Sequence, residues 1–363
     1  MSEHRGAITR EGERYPSPRH GLDYLEGDPP EPGRARQVGE RLWWARIPLP
    51  MELNHINVWL LDEGDHWTLV DTGMAEEVCR EAWHSLDAHH LGGRPIRRVF
   101  ITHDHPDHMG LAPWLAERHG AQVWMSEFAH RSVADYLATS TDALRERSYA
   151  FCNANGMHIA PEGAQARPRG KDDGWFGGVP KLDRACVGGE VLAGGGRDWR
   201  LIETDGHCRG HLCLHDAAGQ VLISGDQVLP TISPNVSVLS IRPQGDPLRD
   251  FLASLERLER SCSTDTLVLP SHGRPFRGLH RRIANVREHH HQQLAALRAA
   301  CTEPKTAFEL VPVMFGRTLR GFHRFLALGE TLAHLHYLWH GEEVERSTDD
   351  SGVIRFVVKQ AAT

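Results

Sequence analysis

Thr102-His103-Asp104-His105-Pro106-Asp107-His108-Met109-Gly110 is the stretch whose reading decides the fold. Before it, Arg97-Arg98-Val99-Phe100-Ile101 reads as a short β-strand. After it, Leu111, Trp114 and Leu115 recur at helical spacing as far as Gly120. The stretch therefore occupies a strand-to-helix loop. On such a loop His103 and His105 point the same way, while Asp107 and His108 turn onto the next helix and face back. Two half-sites result. A pair of imidazoles suits zinc or iron, and a carboxylate with a third imidazole suits a second ion close by. A solvated polar loop is the plain alternative in a chain with 25 histidines. Ligand-type side chains at i, i+2, i+4 and i+5 behind a strand favour metal.

The run His103-Asp104-His105-Pro106-Asp107-His108 resembles the H-x-H-x-D-H signature of the metallo-β-lactamase superfamily. The resemblance implies an α/β protein, an αββα sandwich with a dinuclear site at one edge of its two sheets, and three further ligands, each at the end of a strand. Thr204-Asp205-Gly206-His207-Cys208-Arg209-Gly210-His211 follows the strand Trp199 to Ile202, which makes His207 the third ligand of the first ion. His211 leads into the next strand and is expected beside the ligands rather than among them. Val221-Leu222-Ile223-Ser224-Gly225-Asp226 offers Asp226 as the bridge between the ions, and Thr266-Leu267-Val268-Leu269-Pro270-Ser271-His272 offers His272 to complete the second. Upstream, Thr68-Leu69-Val70-Asp71-Thr72-Gly73 matches the family's strand ending in Asp-x-Gly. Asp71 is expected under the metal loop, orienting it by hydrogen bonds.

The rest of the chain sets the limits around that site. Its 363 residues exceed one typical domain of about 100–200 residues. A net charge of -7 gives no general attraction for nucleic acid. The N-terminus lacks an apolar signal region and no stretch is long enough to span a membrane. The seven cysteines lack C-x-x-C spacing, which suits reduced thiols in a cytoplasm. Cys208 reads as a small filler near the site. Residues 1–38 read as an extended arm and 39–278 as the catalytic domain. Within that domain 126–196 reads as a lid-like insertion, helical from Phe128 to Tyr149 and rich in Gly, Pro and charge from Pro161 to Gly178. His55, Asn57 and Arg274 are the candidates for lining the substrate pocket.

Residues 279–363 read as a helical linker and a small domain. Leu279 to Ala300 is a long helix whose His289-His290-His291 splay at about 100° per residue, so a solvated face is expected. Helices beginning near Thr306, Phe322 and Gly329 lead to a hairpin over Glu343–Val358, an arrangement that resembles a winged helix. Glu342, Glu343, Glu345, Asp349 and Asp350 disfavour nucleic acid there, so packing on the catalytic domain or a homodimer contact is expected.

The resemblance implies chemistry by two divalent ions, zinc first with iron or manganese also compatible, that lower the pKa of a water between them. Asp226 or Asp107 would orient it and pass a proton to the leaving group. Family members that cut β-lactams replace the bridging aspartate. Hydroxyacylglutathione hydrolases, which share the ligand set, carry a different tail. The short separation from Asp226 to His272 leaves no room for the domain that nucleases of messenger precursors insert there. A thioester or carboxylic ester of a small molecule is the expected substrate. A phosphodiesterase or endoribonuclease of the winged-helix-tailed branch is the alternative, and a di-iron redox or sensing module ranks below both.

Overall fold

The computed structural model describes residues 21–159, 174–316 and 319–359. Its first sheet has the order β2-β3-β4-β5-β6-β7-β8, with β2 Ala35–Gly39, β3 Leu42–Pro48, β4 His55–Asp62, β5 Trp67–Val70, β6 Ile96–Phe100, β7 Gln122–Met125 and β8 Arg184–Ala185. The second has the order β1-β14-β13-β12-β11-β10-β9. Its strands are β1 Asp23–Tyr24, β9 Val191–Gly194, β10 Arg197–Thr204, β11 His211–Asp216, β12 Val221–Gly225, β13 Leu267–Pro270 and β14 Phe276–Arg277.

Each strand interior alternates its apolar side chains between two layers, as the two-residue period of a strand demands. In β12, Val221 and Ile223 face the space between the sheets, while Leu222 faces outward. Leu267 and Leu269 of β13 repeat the pattern, with Val268 outward. Trp44, Trp59 and Trp199 fill the central layer. Outside the first sheet, α1 Glu77–His89, α3 Ala112–His119 and α4 Glu127–Ala138 bury Trp83, Leu115 and Val133. Outside the second lie α6 Pro247–Ser261 and α7 Leu279–Ala300, then α8 Ala307–Phe315 and α9 His323–His340 with the antiparallel hairpin β15 Val344–Thr348 and β16 Ile354–Val358. The molecule is thus an αββα sandwich followed by helices and a hairpin.

This packing corrects several expectations. The described part of the arm is not free: β1 pairs with β14, and β2 forms the edge of the first sheet against β3. A two-residue pairing and an edge strand are too short to show a sequence period. The lid-like insertion ends earlier than 196, because β8 joins the first sheet and β9 the second. Its helical part is two helices, α4 and α5 Thr141–Ala154, each capped by a serine: Ser126 accepts from Ala129 N and Ser140 from Ala143 N. Most of the Gly/Pro-rich stretch falls outside the described residues. Its end at 174–178 is described, and there Trp175 O accepts from Ala75 N and Gly177 N donates to Gly110 O. The two helices expected from Phe322 and Gly329 are one, α9. Gly329 lies within it, at a point where any side chain would strike Ser237. The tail shares one continuous core with the second sheet: Leu335, Leu338, Val344 and Phe356 pack in the same cluster as Leu222 and Val268.

Candidate metal centre

Six chain segments end at the same edge of the sandwich. Asp71 follows β5, and Thr102 to His105 follow β6 and lead into the single turn α2 Pro106–Met109, which presents Asp107 and His108. His207 follows β10, Asp226 follows β12 and His272 follows β13, while His55 opens β4. Leu212 N donates to Thr102 O at 2.9 Å and Asn57 N to Ser271 O at 2.6 Å, so backbone bonds between the sheets fix this edge.

The seven predicted ligands meet there in two groups. His103, His105, His207 and Asp226 form one, and Asp107, His108 and His272 another. In the first, His103 Nε2 and His207 Nε2 lie 3.0 and 3.1 Å from His105 Nδ1, and Asp226 Oδ2 lies 3.5 Å from His207 Nε2. In the second, His272 Nε2 lies 3.3 Å from Asp107 Oδ2, and His108 Nε2 lies 3.6 Å from the same oxygen. Asp226 turns its other oxygen to this group, with Oδ1 at 3.5 Å from His108 Nε2 and 3.4 Å from His272 Nε2. One carboxylate therefore faces both clusters.

The 3.3–3.6 Å separations around Asp107 and Asp226 match those of ligands that share an ion, and the 3.0 and 3.1 Å to His105 Nδ1 are slightly shorter. Bonds of about 2.0–2.2 Å in a tetrahedral set put ligand atoms about 3.3–3.6 Å apart. His108 Nε2, His272 Nε2 and Asp226 Oδ1 are buried without a hydrogen-bond partner among the described residues, a costly arrangement for a protein alone. The far nitrogens of four of the five imidazoles are engaged. His108 Nδ1 meets Asp71 Oδ2 at 2.8 Å, His272 Nδ1 donates to His55 O at 2.8 Å, His207 Nδ1 donates to Asn235 O at 2.8 Å, and His103 Nδ1 meets Thr102 Oγ1 at 3.0 Å. Holding the proton at Nδ1 turns the Nε2 lone pair inward, as a metal-binding imidazole requires.

Electrostatics separate the two groups. Burial, reinforced by neighbouring imidazoles, pushes His103 well below the ordinary histidine range and His207 down to about 4. Burial also opposes charge on His272, but Asp226 and Asp107 outweigh it and lift His272 to about 9. Burial raises Asp107, yet His108 and His272 more than offset that and hold it at about 2. The first group is thus imidazole-rich, with Asp226 its one carboxylate, and the second pairs Asp107 with two imidazoles whose charged forms the carboxylates favour; the imidazole-rich set suits borderline cations.

His211 stands beside the two groups. Its ring stacks on His103 with centroids 4.9 Å apart, its Nε2 accepts from Asp226 N at 3.2 Å, and Thr204 Oγ1 meets its Nδ1 at 3.0 Å. Gly225, at φ +53, has no Cβ to strike that ring. Cys208 donates its thiol to Asp104 Oδ1 at 2.5 Å; burial and that carboxylate push the thiol well above its usual range.

The pocket candidates fare differently. His55 is buried beside the centre, where its Nε2 accepts from Gly273 N at 3.0 Å. Asn57 does not reach a pocket mouth. Its Oδ1 accepts from Trp44 Nε1 and Arg46 Nε, and its Nδ2 donates to the carbonyls of Pro270 and Gly273, so it ties the sheets together. Arg274 points the other way and donates to the carbonyls of Leu25 and Gly27, anchoring the N-terminal segment. A polar residue in a strand looks the same in sequence whether its partner is substrate or the facing backbone. Two residues at the centre carried no sequence signal of their own: Asn235, which acts through its carbonyl, and Thr102, whose hydroxyl also meets Asp71 Oδ2 at 2.9 Å. Nor are the three histidines of α7 a solvated face, because His290 is buried with its Nδ1 3.0 Å from His334 Nε2.

Comparisons with known proteins agree with this geometry. Residues 51–272 match the metallo-beta-lactamase superfamily and residues 294–359 match the metallo-beta-lactamase-like C-terminal domain. The crystal structure of a beta-lactamase domain protein from Burkholderia ambifaria superposes with a TM-score of 0.85 at 39% identity, covering 94% of this chain and 99% of that one. The probable metallo-hydrolase YqjP of Bacillus subtilis is 26% identical over 342 residues, 86% of this chain and 96% of its own. The acyl-coenzyme A thioesterase MBLAC2 of Gallus gallus is 25% identical over 252 residues, 66% of this chain and 80% of its own. The chain belongs to the metallo-beta-lactamase superfamily and is a metallo-hydrolase.

Proposed function

We propose that the protein is a dinuclear metal-dependent hydrolase of thioesters or carboxylic esters. His103, His105 and His207 would hold one ion, Asp107, His108 and His272 the other, and Asp226 would bridge them. The observation that carries this reading is the two-sided Asp226, whose oxygens face one cluster each. Zinc suits the imidazole-rich set best, and iron or manganese would also fit it. When bound, such ions supply a hydroxide at neutral pH and polarise the carbonyl under attack.

The chain's own residues do the rest. Asp107 and Asp226 are anionic at neutral pH, so either can orient a water, take its proton and return that proton to the leaving group. A thiolate leaves with little help, whereas an alkoxide needs that proton. No serine or cysteine nucleophile is needed, and Cys208, held as a thiol against Asp104, is not poised to be one.

A thioester is favoured over a phosphodiester on two grounds. The MBLAC2 relative is named an acyl-coenzyme A thioesterase. The tail that would serve as a nucleic-acid platform exposes Glu342, Glu343, Glu345 and Asp350. No helix among the described residues is long and apolar enough to cross a membrane, and a small soluble substrate suits the reading. The seven cysteines are all free thiols, six of them buried, which fits a reducing cytoplasm.

The test is a parallel assay of metal-loaded protein on acyl thioesters, carboxylic esters, a phosphodiester and single-stranded RNA, with metal content read by elemental analysis. Turnover of thioesters or esters, abolished by a chelator, is the expected result. Cleavage of RNA or phosphodiester alone would overturn the substrate class. Full activity without metal would overturn the whole reading.

A further inference from the structure

The segment after Asp226, residues 227–245, contains neither helix nor strand, yet Val228, Leu229, Val236 and Val238 within it are buried. Backbone polar groups in such a buried loop need partners, and here the C-terminal helices supply them. Buried Arg282 of α7 donates to Leu229 O at 2.6 Å and to Ile232 O at 2.7 Å. His336 of α9 donates from Nδ1 to Gly245 O at 2.8 Å. Between these anchors Val238 N donates to Gly329 O at 3.0 Å. A Cβ at Gly329 would lie 2.8 Å from Ser237 Oγ and 2.9 Å from Ser237 Cβ, so α9 meets the loop at backbone distance.

Asn235 sits at the middle of this mount. Its carbonyl accepts the His207 Nδ1 proton at 2.8 Å. Its side chain is pinned at both ends: Oδ1 accepts from Ser237 Oγ at 2.7 Å, and Nδ2 donates to Glu330 Oε2 at 3.3 Å. No arginine or lysine pairs with Glu330 among the described residues. Burial pushes its carboxyl up to about 7, against the Asn235 hydrogen bond that lowers it. A glutamine would satisfy Asn235 at less desolvation cost, so a carboxylate here is not explained by packing alone.

We infer that Glu330 is a positioning residue for His207: through Asn235 it fixes the carbonyl that holds the imidazole Nδ1–H, so helix α9 of the C-terminal region sets the aim of a ligand in the catalytic sandwich. The inference rests on reading His207 as a metal ligand. Outer partners of this kind orient the ring and tune its basicity.

The test uses the full-length protein, stripped of metal and titrated with cobalt(II) and with zinc. Wild type is compared with Glu330→Gln, Glu330→Ala and the exposed control Glu345→Gln. Partners that touch a ligand directly change metal affinity by about 10–100-fold, so a partner one bond further out is expected to change it by about 3–10-fold. Glu330→Gln, which keeps an acceptor for Asn235 but not the charge, should weaken uptake toward the lower end of that range and shift the cobalt visible bands, with the melting temperature of the metal-free protein within about 2 °C of wild type. Glu330→Ala should weaken uptake further, and Glu345→Gln should change nothing. Unchanged affinity and spectrum in both Glu330 variants would overturn the inference. So would a lower metal-free melting temperature with unchanged affinity. If wild type takes up neither metal, the reading of His207 as a ligand fails first, and that failure is visible before any variant is compared.

Discussion

Asp71 and His108 meet inside the protein, with Asp71 Oδ2 2.8 Å from His108 Nδ1 and both side chains buried. Burial opposes charge on that imidazole, but Asp71, with Asp107 and Asp226, outweighs it and raises His108 well above the ordinary histidine range. Asp71 holds this place at φ +63, a left-handed conformation uncommon outside glycine. Its Oδ1 also accepts from Thr102 N at 2.8 Å, so two elements of the metal loop hold it there. Asparagine tolerates the same backbone, which makes Asp71→Asn the clean probe. It should fold normally and lose about 10–100-fold in metal affinity. Asp71→Ala should in addition lose about 1–3 kcal/mol of stability from the strained backbone. Retention of metal by Asp71→Asn at wild-type chelator concentrations would show that His108 needs no carboxylate behind it.

The two-sided placement of Asp226 predicts an ordered loss of metal. His272→Ala should reduce bound metal by one equivalent, because it removes a ligand from one group only. His103→Ala should remove the other equivalent. Asp226→Ala touches both groups and should leave at most one ion, with hydrolysis down by about 10²-fold or more. Elemental analysis after gel filtration checks each value. Two equivalents retained in Asp226→Ala would contradict a bridging role.

The seven candidate ligands can be picked out in the sequence because His207, Asp226 and His272 each follow an apolar strand and the other four share the one loop and turn after β6, and such strands are the easiest elements to read. What was not legible is instructive. Asn235 acts through its carbonyl, and every residue has one, so no side-chain pattern could mark it. Polar residues near candidate ligands invite a pocket reading, yet Asn57 and Arg274 both satisfy backbone carbonyls from residues far away in sequence. His290 looked solvated because three adjacent histidines must splay. The splay is real, with His289 and His291 less covered, but helix α9 lands on the middle one. Tertiary partners decided all of these cases.

Helix α9 and the second sheet share one core, which predicts how the tail unfolds. Leu335 is fully buried in the cluster that also holds Leu222 and Val268. Leu335→Ala should cost about 2–5 kcal/mol, the range for emptying a core leucine site. Because the cluster is continuous, the loss should lower a single transition rather than split off an early one. Calorimetry would distinguish the two. A separate low-temperature transition for residues 279–359 would show that the tail is its own folding unit.

The buried histidines of the tail predict acid sensitivity, in a window that their shifts define. Burial first, then neighbouring charges, holds His290 at about 3, while burial holds His334 and His336 at about 4 against backbone hydrogen bonds to Glu330 and Gly245. In the unfolded chain each returns to about 6.5. Their folded values are depressed, so between about pH 6.5 and 4 the unfolded state binds protons that the folded state does not, and stability falls as pH falls. Each contributes a slope approaching 1.4 kcal/mol per pH unit at most, roughly, within that window. Asp107, held at about 2, adds its own loss only below about pH 4. Denaturant titrations of metal-free protein at pH 7, 6 and 5 should show the decline. His334→Phe removes one titrating group along with its hydrogen bonds to His290 and the Glu330 carbonyl, so it should start from lower stability at pH 7 and fall less steeply. A slope unchanged by that substitution would mean that the acid sensitivity arises elsewhere in the molecule.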